Sequence, residues 1–349
     1  MQEVRVACSD DPILITGSNG FIGTKVVETL LRYGFTNLRC FVRPSGNVMA
    51  LQKAIQAVPT ARVQLIQGNL LSKEHCRQAV DSVAVIIHLA AGIEKTFAGS
   101  VLNSVVATRN LLDACLHNDK LKRFVNVSSF AVYSAKNLRR GAVLDESCET
   151  EKHPALRHDP YCYGKVKQDQ IVEEYGGTHK LPYVIVRPGA VFGPGKRAIS
   201  GRVGIDTFGI FLHLGGPNRI PFTYVDNCAE AIVLSAIKQG IDGMVINVVD
   251  DNLPTSRQFL RRYKKEVKQF RSIYVPRAAS YIFCYLWEKY SDWSERQLPP
   301  VFNRRRWAAD WKGARYSNKR AKELLGWNPR VSMKEALACY FKYQREAEA

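Results

Sequence analysis

The chain has 349 residues, of which 46% are apolar, and this is enough to fill two packed domains or one large domain with an appended lobe. Its net charge is +18, and the stretch from Thr255 to Arg320 alone holds 17 Lys/Arg against 5 Asp/Glu. No nucleic-acid-binding motif accompanies this charge, so binding of nucleic acid is the least favoured interpretation. The charge favours a solvated basic surface, or a surface that attracts an anionic substrate or a membrane.

A glycine-rich segment follows the first apolar run of the chain. Pro12 to Thr16 read as a strand, Gly17 to Gly23 (GSNGFIG) as a turn, and the apolar spacing from Thr24 to Tyr33 as a helix. Glycines there allow a sharp turn, close approach of a pyrophosphate to the helix N-terminus, and tight packing of helix on strand. This predicts dinucleotide contacts at Gly17, Asn19, Gly20, Phe21, Ile22 and Gly23; a turn without a ligand is the alternative.

The second predicted strand, Leu38 to Val42, ends at Arg43. In sites that prefer NAD, an acidic residue about 20 positions after the glycines binds the ribose 2′-hydroxyl. Val42 and Arg43 stand there instead, and a guanidinium pairs well with a 2′-phosphate. The sequence therefore favours NADP over NAD, and an arginine that merely caps a strand on the surface is the alternative.

Two further strands are predicted from Val63 to Gln67 and from Val83 to Ile87. Small or polar residues follow each of them, and small side chains at the end of a strand let a flat cofactor lie against the backbone. We expect His88 to orient the local backbone rather than to react. The predicted contacts are Asn69, Leu70, Leu89, Ala90 and Ala91.

The chemistry is predicted where the next strand meets a helix. Phe124 to Val127 form a buried type of strand, and Ser129 follows at its carboxyl end, where open α/β sheets bind ligands. Tyr161 and Lys165 lie four apart in a helical stretch and so share one face. A nearby ammonium and a cationic nicotinamide favour the phenolate, so this tyrosine can exchange a proton with an alcohol.

The spacing alone does not identify the tyrosine. Tyr163 and Lys167 have the same separation as Tyr161 and Lys165, so the pattern leaves two candidates.

Taken together, these segments resemble the extended short-chain dehydrogenase/reductase family over nearly the whole chain. The family's serine lies four residues before a Val-Tyr tyrosine, which implies Ser129, and its tyrosine follows a proline, which implies Tyr161 with Lys165. The chain departs from the family pattern at three positions. Gly164 replaces a common Ser, Ser104 replaces a common Asn, and Asn69 replaces a common Asp. The resemblance extends the expected cofactor contacts to Val127, Tyr161, Lys165, Pro188, Gly189 and Val191. Its motifs are TGSNGFIG from Thr16, HLAA from His88, Ser128-Ser129 with Val132-Tyr133, RPGAVFGPG from Arg187, VDNCA from Val225 and LGWNP from Leu325.

The family contains sugar-nucleotide epimerases, dehydratases and reductases as well as 3β-hydroxysteroid dehydrogenases. Phe130 and Ala131 replace the acidic pair of the dehydratases, and Ala190 and Ile220 replace an Asn and an Arg of nucleotide-sugar enzymes, although Arg219 is adjacent. The segment 222–227 is closer to the hydroxysteroid branch. The resemblance implies NAD(P)-dependent hydride transfer to or from a secondary alcohol or ketone. A nucleotide-sugar epimerase with retained NAD is the alternative, and a non-catalytic NADP-binding sensor ranks below both.

The C-terminal part carries an aromatic segment, Ile273 to Tyr290, with basic residues on both sides. Residues 273–307 are expected either to contain an interfacial helix that contacts anionic lipid at the membrane periphery or to form a lobe helix over the substrate pocket. The segment is too short to span a bilayer.

We therefore predict a Rossmann-type doubly wound parallel sheet with a smaller C-terminal substrate lobe. The dinucleotide-binding domain comprises 1–188, with 222–250 returning to it, and the lobe comprises 189–221 and 251–349. The expected partners are a bulky alcohol or ketone, or a nucleotide sugar, and a second copy of the chain. Nine scattered cysteines without a Cys-x-x-Cys pair, together with no leader-like start, predict a cytoplasmic protein with reduced thiols and no metal.

Overall fold

The computed structural model describes residues 5–92, 96–196, 199–207 and 209–348. Its strands are β1 (Ile13–Thr16), β2 (Asn37–Val42), β3 (Arg62–Gln67), β4 (Val85–His88), β5 (Arg123–Val127), β6 (Val143–Leu144), β7 (Tyr183–Pro188), β8 (Ala190–Phe192), β9 (Gly204–Thr207), β10 (Ile210–His213), β11 (Phe222–Tyr224), β12 (Val245–Val248), β13 (Ser272–Tyr274) and β14 (Arg315–Tyr316). Its α-helices are α1 (Phe21–Arg32), α2 (Met49–Gln56), α3 (Lys73–Val80), α4 (Phe97–Ser100), α5 (Ala107–Cys115), α6 (Pro160–His179), α7 (Val225–Ile237), α8 (Ser256–Glu266), α9 (Arg277–Trp293), α10 (Arg304–Trp311), α11 (Lys319–Leu325) and α12 (Met333–Glu348).

Seven of the described strands form one sheet in the order β12-β7-β5-β4-β1-β2-β3, and every pairing in it is parallel. Parallel strands need crossover connections, and the helices that make them cover both faces of the sheet. The order reverses between β1 and β4, which opens a crevice at the carboxyl ends of the strands. This architecture confirms the predicted Rossmann-type doubly wound fold.

Two apolar layers sandwich the sheet. Successive side chains of β1 point to opposite faces, so Ile13 and Ile15 pack in the layer with α1 and α7, whereas Leu14 packs in the layer with α3, α5 and α6. All three side chains are fully buried. Strands buried on both faces have near-continuous apolar sequences, which is why the strand predictions succeeded.

The chain beyond β7 divides its elements between this sheet and smaller assemblies. Strand β11 pairs with β8, β12 forms the edge of the main sheet beside β7, and β10 pairs with β9 and β13. A separate aromatic core lies under α8 and α12 and includes Phe259, Tyr340 and Phe341. On this topology we propose the domain division given above, in which 222–250 returns to the dinucleotide-binding domain.

The closest packing of α1 against β1 depends on Gly23. A Cβ atom there would overlap the Gly17 carbonyl oxygen and lie 2.8 Å from Ser18 Cα. We therefore expect Gly23→Ala to reduce the free energy of unfolding by about 1–3 kcal/mol through overpacking. Thermal unfolding followed by circular dichroism would measure this loss.

Gly177→Ala is the matched control. Gly177 lies in α6, and a Cβ atom on it would have no heavy atom within 4 Å, so alanine should stabilise that helix by about 0.5–1 kcal/mol. Equal effects of the two substitutions would contradict the packing argument.

Candidate active site

A cavity of about 660 Å³ opens at the carboxyl ends of the parallel strands. It extends from the glycine turn, past the ends of β4 and β5, to the N-terminus of α6 and the start of β8. The predicted site residues on its wall are Gly17, Gly20, Phe21, Ile22, Gly23, Leu89, Ala91, Val127, Ser129, Tyr161, Lys165, Pro188, Gly189 and Val191. The structure therefore gathers residues that are far apart in sequence around one space.

The glycine turn leaves the N-terminus of α1 open to this cavity. Gly20 is the N-cap without a side-chain hydrogen bond, and the first turn of the helix carries no acidic residue. Gly17 has φ +68°, and a Cβ on it would lie 3.0 Å from the Ala90 backbone nitrogen. Free N–H groups at a helix N-terminus are a good site for phosphate. The residues present therefore fit a dinucleotide.

Tyr161, Ser129 and Lys165 line the same cavity. Burial raises the pKa of the Tyr161 phenol, while the adjacent Ser129 hydroxyl opposes that rise by favouring the phenolate. The Lys165 ammonium is buried and donates to the Val127 carbonyl oxygen at 2.7 Å. Burial lowers the pKa of Lys165 to about 8, against an upward influence of Asp169. The ammonium is therefore charged at neutral pH, close to its titration.

The second tyrosine–lysine pair lies elsewhere. The Tyr163 ring packs edge-on against Phe97 with centroids 5.5 Å apart, and Lys167 Nζ donates to Gln170 Oε1 at 2.9 Å on an exposed surface. Neither residue lines the cavity. Geometry thus supports Tyr161 and Lys165 of the two candidates that the spacing left open.

A buried ion pair lies beneath these groups. Asp169 accepts a hydrogen bond from Arg187 Nε on β7 at 3.0 Å and another from Asn126 Nδ2 on β5 at 2.9 Å. Burial raises the pKa of the Asp169 carboxyl, and the Arg187 and Lys165 cations oppose that rise. The Arg187 guanidinium also lies 4.9 Å from the centre of the Tyr133 ring. The carboxylate therefore joins α6 to two strands of the sheet.

His88 is held neutral inside the sheet. Its Nδ1 lies 2.7 Å from Thr16 Oγ1, and its Nε2 lies 2.9 Å from Thr108 Oγ1. Burial, reinforced by Lys165, lowers the pKa of His88 to about 3. Because the Thr16 hydroxyl also accepts the Ala90 N–H at 3.3 Å, this ring orients the backbone beside the glycine turn, as expected from the sequence.

Two of the three departures from the family pattern, Gly164 and Ser104, lie side by side. A Cβ on Gly164 would overlap Ser100 Oγ and lie 3.2 Å from Ser104 Oγ. Ser104 Oγ in turn accepts the Gly92 N–H at 3.2 Å, from a π-helical segment over Val101–Val106. The glycine in α6 thus makes room for two serine hydroxyls beside the cavity.

Some predicted cofactor residues lie off the cavity wall. The Asn19 amide donates to the Asn47 carbonyl oxygen at 3.1 Å, and Arg43 donates to Asn103 Oδ1 at 3.3 Å on the exposed edge beyond β2. Asn69 Oδ1 closes its own turn by accepting the Leu71 N–H at 3.0 Å. Leu70 is buried in the core, and the Ala90 N–H is taken by Thr16.

Sequence reasoning missed five charged residues on the cavity wall: Arg157, Asp159, Lys196, Arg202 and Asp310. Arg157 is buried, donates to the Ala131 carbonyl oxygen at 2.7 Å, and lies 3.7 Å from Asp159 and 3.9 Å from Asp310. Lys196 Nζ donates to the Val191 carbonyl oxygen at 3.0 Å, and burial lowers its pKa. No local pattern marks these residues, because they come from separate loops and from α10.

Comparison with known proteins gives the family. The sequence model described as the NAD dependent epimerase/dehydratase family matches residues 13–248, more than half of the chain. The chain therefore belongs to the NAD-dependent epimerase/dehydratase family, which confirms the predicted family and the prediction of an enzyme that uses a nicotinamide dinucleotide.

Individual relatives are distant. An uncharacterised UDP-glucose epimerase of Bacillus subtilis is 26% identical over 68% of this chain and 76% of its own length. A 3beta-hydroxysteroid-dehydrogenase/decarboxylase of Arabidopsis thaliana is 27% identical over 63% of this chain, but the match spans only 40% of that protein. Among solved structures, the UDP-glucuronic acid 4-epimerase of Bacillus cereus in complex with NAD has a TM-score of 0.70 at 22% identity, covering 97% of this chain and all of the other. That likeness supports the fold.

The Asp169–Arg187 pair yields a stability prediction. Asp169→Asn leaves the buried Arg187 cation without its carboxylate, and we expect a loss of about 3–5 kcal/mol in the free energy of unfolding. Urea denaturation would measure it.

Glu174→Gln on the same helix is the control. It removes an exposed ion pair, with Arg109 3.8 Å away, and should change stability by less than about 1 kcal/mol. A loss for Asp169→Asn as small as for this control would show that the buried pair is unimportant.

Proposed function

We propose that this protein transfers a hydride reversibly between NAD(P) and a secondary alcohol or ketone. The observation that carries the proposal is the position of Tyr161, Ser129 and Lys165 on the same cavity as the glycine turn and the open N-terminus of α1. When bound there, the nicotinamide would supply or accept the hydride. A sensor that only binds NADP would need no such acid/base set.

Tyr161 moves the proton in this scheme. Its pKa is raised by burial, so at neutral pH the phenol holds its proton and can donate it to a carbonyl oxygen during reduction. Ser129, beside it, would hold the same oxygen. In oxidation, the phenolate would take the alcohol proton instead.

Lys165 holds the site's positive charge. With its pKa lowered to about 8, the ammonium is protonated at pH 7 and becomes neutral as the pH rises through 8. Its charge would support the phenolate, and its hydrogen bond to Val127 fixes its direction.

A nucleotide-sugar epimerase is the second candidate, and two cations on the cavity wall favour it. Lys196 and Arg202 suit an anionic substrate, and the structural neighbours include epimerases solved with UDP-sugars. Arg219, by contrast, is exposed and donates to the Leu253 carbonyl oxygen at 2.7 Å. Mass spectrometry of gently purified protein separates the candidates: retained NAD together with a nucleotide sugar marks the epimerase, whereas an empty protein that consumes NADPH marks the reductase.

A homodimer, as the resemblance implies, is also part of the proposal. Leu102 and Leu116 are exposed on the helical layer of α5, the side of the sheet through which we expect two copies to pair.

Tyr161→Phe should abolish turnover while leaving cofactor binding intact, because only the transferable proton is removed. We expect kcat to fall by about 10²–10⁴-fold. NADPH oxidation with a panel of bulky ketones measures turnover, and NADPH fluorescence titration measures binding.

Tyr163→Phe removes the corresponding hydroxyl of the other pair and should leave kcat unchanged. Full activity of Tyr161→Phe, or equal loss in both variants, would rule out the assignment of the acid/base group.

We further propose that the cofactor is NADP, recognised by Arg43 at the end of β2. Arg43→Ala should weaken NADPH binding by about tenfold or more, since a hydrogen bond to a charged group is worth about 1.5–3 kcal/mol. Binding of NADH should stay the same. Titration of both nucleotides tests this, and an equal loss for the two would leave Arg43 without a role in choosing between them.

A further inference from the structure

Helix α9 buries its small polar face and exposes its large apolar one. The side chains turned into the protein include Ser280, Cys284 and Ser291, all buried. The opposite side, called here the outward face of α9, consists of Ile282, Phe283, Leu286, Tyr290 and Trp293. These positions recur every three or four residues, so they form one stripe along the helix. A helix in water normally has the reverse arrangement.

The outward face is well exposed and continuous. Trp293 is 78% exposed, Leu286 58% and Ile282 54%. Its aromatic rings form a chain through Trp287, with centroids 6.1 Å apart from Phe283 to Trp287, 6.4 Å from Trp287 to Tyr290 and 5.8 Å from Tyr290 to Trp293. A contiguous exposed apolar patch of this kind marks an interaction surface.

A cation borders the outward face. The Lys289 ammonium is exposed and lies 6.0 Å from the centre of the Tyr285 ring, beside the stripe. Arg304 lies 5.0 Å from the same ring, but it pairs with Glu288 at 2.9 Å. Lys289 can therefore meet negative charge at the edge of the outward face.

The C-terminal part of the chain around α9 is basic overall. Residues 255–320 hold 17 Lys/Arg against 5 Asp/Glu, and this excess of positive charge attracts a negative surface at longer range.

We propose that the outward face of α9 docks onto a membrane surface rich in anionic lipid. Tryptophan and tyrosine favour the headgroup level, leucine, isoleucine and phenylalanine the acyl boundary beneath it, and bordering lysine and arginine the lipid phosphates. No helix in the described part of the chain is long and apolar enough to cross a membrane. The docking is therefore peripheral, with the helix lying along the surface.

Charge argues against a second copy as the occupant. Two copies meeting through α9 would bring together two C-terminal parts that each carry 12 more cations than anions between Thr255 and Arg320. Like charges in contact oppose association, whereas anionic lipid neutralises them.

Vesicle co-sedimentation of the full chain tests the proposal. The vesicles contain either phosphatidylcholine alone or phosphatidylcholine mixed with phosphatidylglycerol. We expect the protein to bind the mixed vesicles and to bind phosphatidylcholine alone much more weakly. Leu286→Glu should reduce binding by about tenfold or more, because it removes apolar area and places a charge at the acyl boundary. Lys289→Glu should reduce it by about 30-fold, because the substitution changes the charge at the surface by two units.

Met244→Glu is the matched control, an exposed apolar residue before β12 at the edge of the sheet opposite the cavity. It should bind vesicles as the unaltered protein does. NADPH titration and thermal unfolding verify that every variant is folded, independently of any catalytic assignment. The proposal is overturned if the protein binds neither vesicle type, if it binds both types equally, or if Leu286→Glu leaves its binding to the mixed vesicles unchanged. It is also overturned if size-exclusion chromatography shows an oligomer that Leu286→Glu dissociates, since a second copy would then be the occupant.

Discussion

The buried carboxylate of Asp169 fixes the geometry on which the candidate site depends. It receives one hydrogen bond from β5 and one from β7, so α6 is attached to two neighbouring strands at once. One turn earlier, α6 carries Lys165, and one turn before that Tyr161, while β5 ends at Val127, just before Ser129. A charged group inside the protein is stable only when its partners are held in place. The contacts of Asp169 therefore require fixed positions of Asn126 and Arg187, and they also hold α6 in place against the two strands. The tyrosine, the serine and the lysine thereby line one cavity although 32 positions separate Ser129 from Tyr161.

The remaining walls of the cavity show how the two halves of the chain share the site. The glycine turn and α1 contribute backbone donors, whereas Arg157, Lys196 and Arg202 contribute charge from loops outside the sheet. Backbone donors suit the constant phosphates of a dinucleotide, and loops suit the part of the ligand that differs between relatives. One half of the cavity can therefore keep the same contacts to the dinucleotide, while the loops of the other half differ between enzymes that act on sterols and enzymes that act on sugar nucleotides.

The basic side chains of the C-terminal part have two kinds of surroundings. Some of it faces acidic partners, as where Arg304 meets Glu288 at 2.9 Å and Arg305 meets Glu151 at 2.9 Å. Lys289 instead lies beside the outward face of α9, whose bulky side chains point away from the protein. Helix α10 contacts both the candidate active site and α9. Its Asp310 lines the cavity, and its Trp307 donates a hydrogen bond to Ser280 of α9 at 2.9 Å. The candidate docking surface and the candidate active site thus share one supporting helix.

The sequence by itself determined the sheet, the glycine turn and the helix with its tyrosine and lysine. These features depend on residue spacing within short segments: β1 was predicted at 12–16 and spans 13–16, and α6 was predicted from Tyr161 and begins at Pro160. The family resemblance added Ser129 and the choice of Tyr161 over Tyr163, and the fold placed Tyr163 against Phe97 instead. Only the tertiary structure decided that Asn19 donates to the Asn47 carbonyl oxygen, that Arg157 and Asp310 reach the cavity, and that α9 exposes its apolar side. Each of these depends on which distant segment packs alongside, and spacing along the chain does not encode that.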